Sequence, residues 1–529
     1  MQQLQDLHPA LRADLEKKGA DIERTLQLLS ILEHNKGDSS SSDSEKHRLP
    51  NPDNSQITDF HRSFYSIPLS KLEELLARHG IPGPVERWGE RHGNLLTMSK
   101  PQLRLLGIHL YPFTAYGVLN GGSATTYGDS KKNRELAPLL YDHFQSYFDS
   151  YGPAIKDSPK GITPAFLQAD GTPGPSFILL KMRSLLMHAL EYRILTGDRE
   201  RPLLPFFQMT SHSTTQKLEE AYREYRADPL LKELIEKTGT DPTHPLGACQ
   251  GLLAAITHSS EGLPRRIFDR AYGRPHEGLA LPGGHGENFR VLSPVYQALY
   301  DQGIRYVYLG NVDNSGYTID PVELAYFALS DATGAFEFSL KTPIDVKGGA
   351  LVETTSGRLS VLDIGQGISR EELTLQEQQG KPVLFNCAIG LFKLDYLLPR
   401  LSSIADQLPL HVSDQDKEAG RYAQIEQSTW EVLGLLEHPL IIQVKKEERF
   451  LAAKMFMETL LASPVSAHLM KTEGIPDNLR HTARLLQQGL QQLLRTEYGF
   501  FLKNSIPFWE PYSVQELEQA LQQTLVKNA

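Results

Sequence analysis

Cysteine is nearly missing from this chain: 529 residues hold only Cys249 and Cys387. Two thiols cannot make a disulfide framework, and they do not resemble a zinc site. Both read as small buried hydrophobes in strands. There is no tract of lysine and arginine, and the net charge is -10, so a nucleic-acid partner is not expected. A nucleotide can still bind, because local lysines decide that. The longest apolar runs are strand-sized, far short of a bilayer span. The opening residues, Met1 to Asp6, carry no apolar signal core. These absences point to a cytoplasmic chain with no membrane partner. No internal repeat is visible, and oligomeric state stays open. What is present is a globular composition, 40% hydrophobic and 22% charged. The length suggests a central domain with sizeable additions.

The pattern changes along the chain. Leu4, Leu7, Leu11 and Leu15, then Ile22, Leu26, Leu29 and Leu32, recur at helical spacing. The polar run Gly37 to Ser44 reads as a mobile linker, which leaves the first helices tethered rather than built in. Residues 69–79 are helical again. From about residue 105, short apolar runs alternate with helical stretches. Tyr116–Leu119, Leu203–Met209 and Ile304–Leu309 read as strands, and Phe177–Thr196 reads as a helix. Such alternation predicts an α/β fold with a mostly parallel sheet. Residues 335–365 add strands with a turn at Thr355–Arg358, and the pattern after about 455 is mainly helical.

Four segments carry chemistry. Leu119-Asn120-Gly121-Gly122 opens a glycine-rich turn after a buried strand, where backbone N–H groups can approach phosphate oxygens. It is neither a P-loop nor a dinucleotide turn. Pro159-Lys160 sets a point charge beside a fixed proline. Pro282-Gly283-Gly284-His285-Gly286-Glu287 offers close backbone approach and one imidazole. Asn311-Val312-Asp313-Asn314 ends the most hydrophobic strand, and in parallel sheets such ends line the ligand crevice. A carboxylate there can hold Mg²⁺. Each segment alone has a plainer reading, as a turn, a surface lysine or a flexible loop.

Their order is the stronger signal. With Asp345-Val346-Lys347-Gly348-Gly349, Phe385-Asn386 and Arg449-Phe450-Leu451-Ala452-Ala453-Lys454, the set resembles the eukaryote-type UDP-sugar pyrophosphorylases over about residues 115–460, with the UDP-glucose branch nearest. The resemblance implies a Rossmann-like α/β nucleotidyltransferase core at 101–400, with a helical insertion at about 129–157. Outside it, residues 1–100 read from their spacing and polar run as a helical region with a mobile linker at 37–56. Residues 401–529 become a mainly helical region that contributes Lys454. The implied activity is uridylyl transfer from UTP to a sugar 1-phosphate, glucose 1-phosphate first, with Mg²⁺ as cofactor. Galactose 1-phosphate, N-acetylglucosamine 1-phosphate or several sugars are alternatives, as is an inactive member serving as an interaction module. In the implied site, Lys160 and Lys454 are catalytic. Leu119, Asn120, Gly121, Gly122, Gln250, Gly284 and Asp313 bind the nucleotide, with Asp313 also on the metal. His285, Asn311 and Asn386 contact the sugar or its phosphate. Two departures from the family pattern stand out: Ala124 where the family has glycine, and the long stretch between Gly128 and Lys160.

Overall fold

The structure is a computed structural model that describes residues 3–37, 47–51, 54–136, 138–342, 345, 348–364, 368–471, 474–503 and 508–528. Its centre is a ten-stranded sheet. Thr114–Leu119 and Phe206–Ser211 are buried at every position, and Tyr306–Asn311 is buried up to its last residue. Strands without a polar face need cover on both sides, and a parallel sheet between two helical layers supplies it. Side chains alternate between the layers as the pleat requires: Tyr116 and Val118 enter one hydrophobic cluster, Ala115 and Leu119 the other.

Across the sheet the strands run Ile57–Asp59, Pro439–Val444, Gly334–Leu340, Leu384–Lys393, Tyr306–Asn311, Thr114–Leu119, Phe206–Ser211 and Leu246–Gln250. Every neighbouring pair is parallel except the two made by Leu384–Lys393, which runs against both its flanking strands. The hairpin Gly349–Glu353 and Leu359–Asp363 joins it where Ala350 meets Phe385. Because Leu384–Lys393 is reversed, its first residues lie at the same rim as the last residues of the parallel strands. That rim is where the sheet collects its polar ends.

Helix Phe177–Thr196 is buried from Phe177 through Arg193, as befits a helix with apolar residues on every face. The Ser176 hydroxyl accepts from the Leu179 N–H at its start, and Gly197, at φ 72°, ends it. Helices Ser130–Leu136 and Pro138–Lys156 occupy the long stretch after Gly128. Phe148 meets Phe456 edge-on at 5.4 Å. Among the described residues no helix is long and apolar enough to cross a membrane.

The mostly parallel α/β sheet matches expectation, but its extent does not. Ile57–Asp59 and Pro439–Val444 belong to it, so the core is not bounded at 101 and 400. One of these strands is three residues long, too short to give a periodic signal. Strands His411–Lys417, Gly420–Glu426, Phe500–Lys503 and Phe508–Pro511 make the region after 401 mixed rather than mainly helical. The first helices, Pro9–Lys17 and Ile22–Gly37, are not tethered at a distance. Leu11, Leu15, Ile22 and Leu28 form a cluster with Leu253, Ile256 and Ile425. Of the linker expected at 37–56, residues 38–46 and 52–53 lie outside the described residues. Within the rest, Leu49 is buried and Arg48 exchanges backbone hydrogen bonds with Glu353. Cys387 is buried as expected, whereas Cys249 is exposed because its strand is the last in the sheet.

Candidate functional site

Four parallel strands end side by side at Leu119, Ser211, Gln250 and Asn311, and the loops that follow line a cavity. The first of these is the glycine turn. The Asn120 N–H still belongs to the sheet and donates to the Met209 carbonyl at 2.8 Å. The next three N–H groups, of Gly121, Gly122 and Ser123, donate to no acceptor among the described residues. A methyl group placed on Gly122 would touch nothing within 4 Å, so the space beside it is open to a ligand. The loop is pinned from outside. Ala124 N–H donates to Ser158 O at 2.9 Å, Lys160 N–H to Gly122 O at 3.1 Å, and the Ser211 hydroxyl to Gly121 O at 2.7 Å. Ser123 and Pro159 thus form a short antiparallel bridge. Both departures from the family pattern are absorbed here. The 130–156 helices leave and return to the same loop, so Lys160 is delivered beside it. Ala124 is fully buried and has no positive φ, so its methyl group costs no backbone strain.

Asn120 is placed differently from its expected contact with nucleotide. Its amide is fully buried and donates to Gln208 Oε1 at 3.1 Å and to the Tyr222 hydroxyl at 3.0 Å. It anchors the turn from below. The Leu119 side chain packs in the core, which leaves its backbone for the cavity.

Asp313 stands at the centre of the rim, two residues beyond the Tyr306–Asn311 strand, and is 6% exposed. Its Oδ2 accepts from Lys160 Nζ at 2.7 Å and from Lys454 Nζ at 3.2 Å. Burial alone would raise its pKa, but the two ammonium groups outweigh that and hold it well below the usual carboxylate range. Its Oδ1 is buried and has no hydrogen-bond partner. Lys160 is nearly enclosed and lies 4.9 Å from the centre of the Tyr127 ring. Burial pulls its pKa down, against the pull of Asp313. Lys454 is 57% exposed along its side chain and lines a second cavity.

Asn314 explains how Lys454 arrives. Its side chain accepts from Leu451 N–H at 3.0 Å and donates to Arg449 O at 3.0 Å. Ala453 N–H donates to Asp313 O at 3.1 Å. Beneath this turn, Lys181 donates to Asn314 O at 2.8 Å and to Tyr317 O at 3.1 Å. Burial takes its pKa down to about 7.

His285 and Asn311 line both cavities. His285 Nδ1 accepts the Thr429 N–H at 2.9 Å, so the ring proton sits on Nε2. Burial, with Lys454 nearby, takes its pKa down to about 4. It is therefore a neutral donor at ordinary pH. Gln250 Nε2 donates to Gly284 O at 2.7 Å. Gly284 is at φ 81°, and a Cβ there would lie 2.5 Å from the Gln427 carbonyl oxygen, so only glycine fits. Asn386 Oδ1 accepts from Ala388 N–H at 2.9 Å, while its Nδ2 has no acceptor among the described residues and the residue lines the second cavity.

All the sequence-predicted site residues except the inward-turned Asn120 side chain therefore lie at one rim. Sequence reasoning missed Thr429, which fixes the His285 tautomer, and Tyr127 beneath Lys160. It also missed Glu458 and the Asp345–Lys446 ion pair in the second cavity. Glu458 lies one turn past Lys454 and could have been flagged from that motif. Asp345 stood in a recognised motif without a role assigned to it, whereas Thr429 and Tyr127 come from segments with no local pattern. Lys131 and Lys132, next to the glycine turn in sequence, are exposed, and Lys132 donates to Thr126 Oγ1.

No group of three or more metal-ligating side chains occurs among the described residues. Asp313 Oδ1 is nevertheless a buried oxygen without a partner, next to a loop of unpaired N–H groups. A hard cation completed by phosphate oxygens and water fits that donor set.

The rim of this mostly parallel α/β sheet thus carries a turn of unpaired N–H groups and a carboxylate between two lysines. Over nearly its whole length the chain shares its fold with UDP-N-acetylglucosamine pyrophosphorylase from Trypanosoma brucei. That match has a TM-score of 0.59 at 16% identity and covers 97% of this chain and 85% of that one. A mutant UDP-glucose pyrophosphorylase from Leishmania major matches with a TM-score of 0.51 at 16% identity, over 90% and 82% of the two chains. Residues 267–488 match the family described as UTP--glucose-1-phosphate uridylyltransferase. Relatives that bear that name include one from Encephalitozoon cuniculi, 38% identical over 87 residues, 16% of this chain and 18% of the relative. Another, from Musa acuminata, is 28% identical over 214 residues, 39% and 45% of the two chains. The chain spans less than half the length of these curated relatives.

Proposed function

We propose that this protein transfers a uridylyl group from UTP to a sugar 1-phosphate, glucose 1-phosphate first, and releases pyrophosphate. The observation that carries this reading is Asp313 held between Lys160 and Lys454 where the two cavities meet. The first cavity suits the nucleotide and the second the sugar phosphate. The names of the matched relatives point to the same reaction.

In this reading a phosphate oxygen of the sugar forms a bond to the α-phosphorus of UTP. The bond from that phosphorus to the α–β bridging oxygen breaks, and its electron pair leaves with pyrophosphate. The protein's work is positioning and charge neutralisation. The Gly121, Gly122 and Ser123 N–H groups receive phosphate oxygens. Each lysine has three donors, so Lys160 and Lys454 can serve phosphate oxygens while still paired with Asp313. Gln250 and the Gly284 backbone read the uracil edge. His285 donates from Nε2 to the sugar or its phosphate, and Asn386 donates from Nδ2. Asn311, between the cavities, serves the same substrate. Asp313 would hold Mg²⁺ through Oδ1, and the ion would supply further neutralisation of phosphate charge.

The test is pyrophosphate release from UTP and Mg²⁺ over a panel of glucose, galactose and N-acetylglucosamine 1-phosphates. Turnover greatest with glucose 1-phosphate is expected. Turnover greatest with another sugar would move the substrate assignment, and none with any sugar would mark an inactive member of the family.

A further inference from the structure

The two groups read here as facing the base, Gln250 and the Gly284 backbone, sit at facing ends of a small antiparallel pair. Leu252–Ala254 follows Gln250, Ala280–Pro282 precedes Gly284, and they pair as Leu252 with Pro282 and Ala254 with Ala280. A third segment lies against this pair. Ala20 bridges to Leu252, Asp21 N–H donates to Leu252 O at 2.6 Å, and Ala254 N–H donates to Thr25 Oγ1 at 2.9 Å. Thr25 is fully buried and returns its own proton to Asp21 O.

Arg24, one residue away, ties this segment to the glycine–histidine loop. It is 4% exposed, and both its Nε and Nη2 donate to Glu287 Oε1 at 3.2 Å. Glu287 is 2% exposed and lies two residues past His285. Its other oxygen accepts from Arg290 at 2.8 Å. Arg24 Nη2 also donates to Ala405 O at 3.0 Å, and the same carbonyl accepts from the Gln427 amide. Gln427 in turn straps the loop, since its N–H donates to Gly283 O and its carbonyl accepts the Gly286 N–H. A buried guanidinium with a matching carboxylate fixes geometry through its fork of donors.

We infer that the Ile22–Gly37 helix is a clamp on the nucleotide's base, with Arg24 and Thr25 as positioning residues that set the spacing between Gln250 and Gly284. This rests on the assignment of those two groups to uracil in the proposed function. Among the described residues no hydrogen bond or ion pair joins Arg24 or Thr25 to Lys160, Lys454 or Asp313, so the clamp's effect belongs to binding and base choice. A difference of one exocyclic group separates uracil from cytosine, and a site built of fixed hydrogen-bonding groups discriminates such pairs only while its spacing holds.

The experiment compares Arg24→Met, Arg24→Lys, Thr25→Val and Gln250→Ala in the full chain, each with UTP and with CTP as nucleotide. For Arg24→Met the expected result is a tenfold or larger rise in KM for UTP and a tenfold or larger loss of UTP-over-CTP preference in kcat/KM, with a smaller fall in kcat. Arg24→Lys should recover part of the preference. Thr25→Val keeps the shape and removes one tether. It should lose preference in the same direction, and it decides the matter if Arg24→Met does not fold. A merely structural role would lower stability without moving base preference. Preference lost in Gln250→Ala but kept in folded Arg24→Met and Thr25→Val overturns the clamp and leaves the base site standing. Preference kept in Gln250→Ala overturns the base site, and the clamp with it.

Discussion

At the scale of single residues the site turns on three charges that share one oxygen. Asp313 Oδ2 accepts from both Lys160 and Lys454, and in the proposed reaction negative charge builds on the bridging and leaving oxygens as the P–O bond breaks. Lys160→Ala and Lys454→Ala should each lower kcat by roughly a hundredfold or more, as loss of a preorganised charge contact does, while KM for UTP changes less. Lys→Arg should rescue only in part, because a planar fork replaces a compact ammonium. Steady-state kinetics that show only a raised KM would assign these lysines to substrate capture instead. Asp313→Ala should abolish turnover, and a wild-type kcat for that variant at ordinary Mg²⁺ would exclude it as the metal anchor. These three residues were legible in the sequence because each sits in a short pattern and the patterns fall in order. The buried role of Asn120 was not, since the residues that hold it, Gln208 and Tyr222, are brought near only by folding. The same is true of Thr429 and of Arg24. Their significance lies in a partner far along the chain, and no local spacing encodes it.

At the scale of elements, the segment that delivers Lys454 is held by a buried ion pair. Arg449 donates through Nε to Glu337 Oε2 at 2.8 Å and through its other nitrogens to the Thr318 hydroxyl and carbonyl. It thereby joins the Gly334–Leu340 strand, the turn after Asp313 and the Lys454 segment. Glu323 lies beside it, and burial, with Glu337 adding, raises its carboxyl well above the usual range. Removing one partner of such a pair leaves a buried charge without compensation. Arg449→Met should therefore destabilise the fold by about 3–5 kcal/mol, read as a lowered denaturation midpoint, and the surviving folded enzyme should have a reduced kcat. Unchanged kcat in that variant would show that Lys454 keeps its place without the anchor. The sequence pattern located two helices closely: Leu69–His79 and Phe177–Thr196 stand where they were read. Short strands at the sheet's far side were missed because their partners, rather than their own composition, make them strands.

For the whole molecule, buried imidazoles set a response to acid. Burial is the chief reason that His79, His109 and His285 all have a pKa taken down to about 4, and nearby cations add to it. In the unfolded chain the same groups titrate near about 6.5. Between those values the unfolded state binds more protons, so stability falls as pH drops through this window and is unaffected by these groups above it. Thermal melts from pH 7.5 to 4.5 should show Tm level at first and then declining below about 6.5. A constant Tm across that range would contradict neutral, buried histidines. One feature of the sheet also bears on how the protein comes to exist. Among the described residues Ile57–Asp59 has its only strand partner in Pro439–Val444, and that partner also completes Gly334–Leu340. During synthesis Ile57–Asp59 and one edge of Gly334–Leu340 must wait, unpaired, until Pro439–Val444 has been made. At ordinary elongation speeds the wait is on the order of tens of seconds. For that interval the nascent protein carries open strand edges, each a template for pairing with another chain, so slower translation lengthens the exposure of those edges to aggregation.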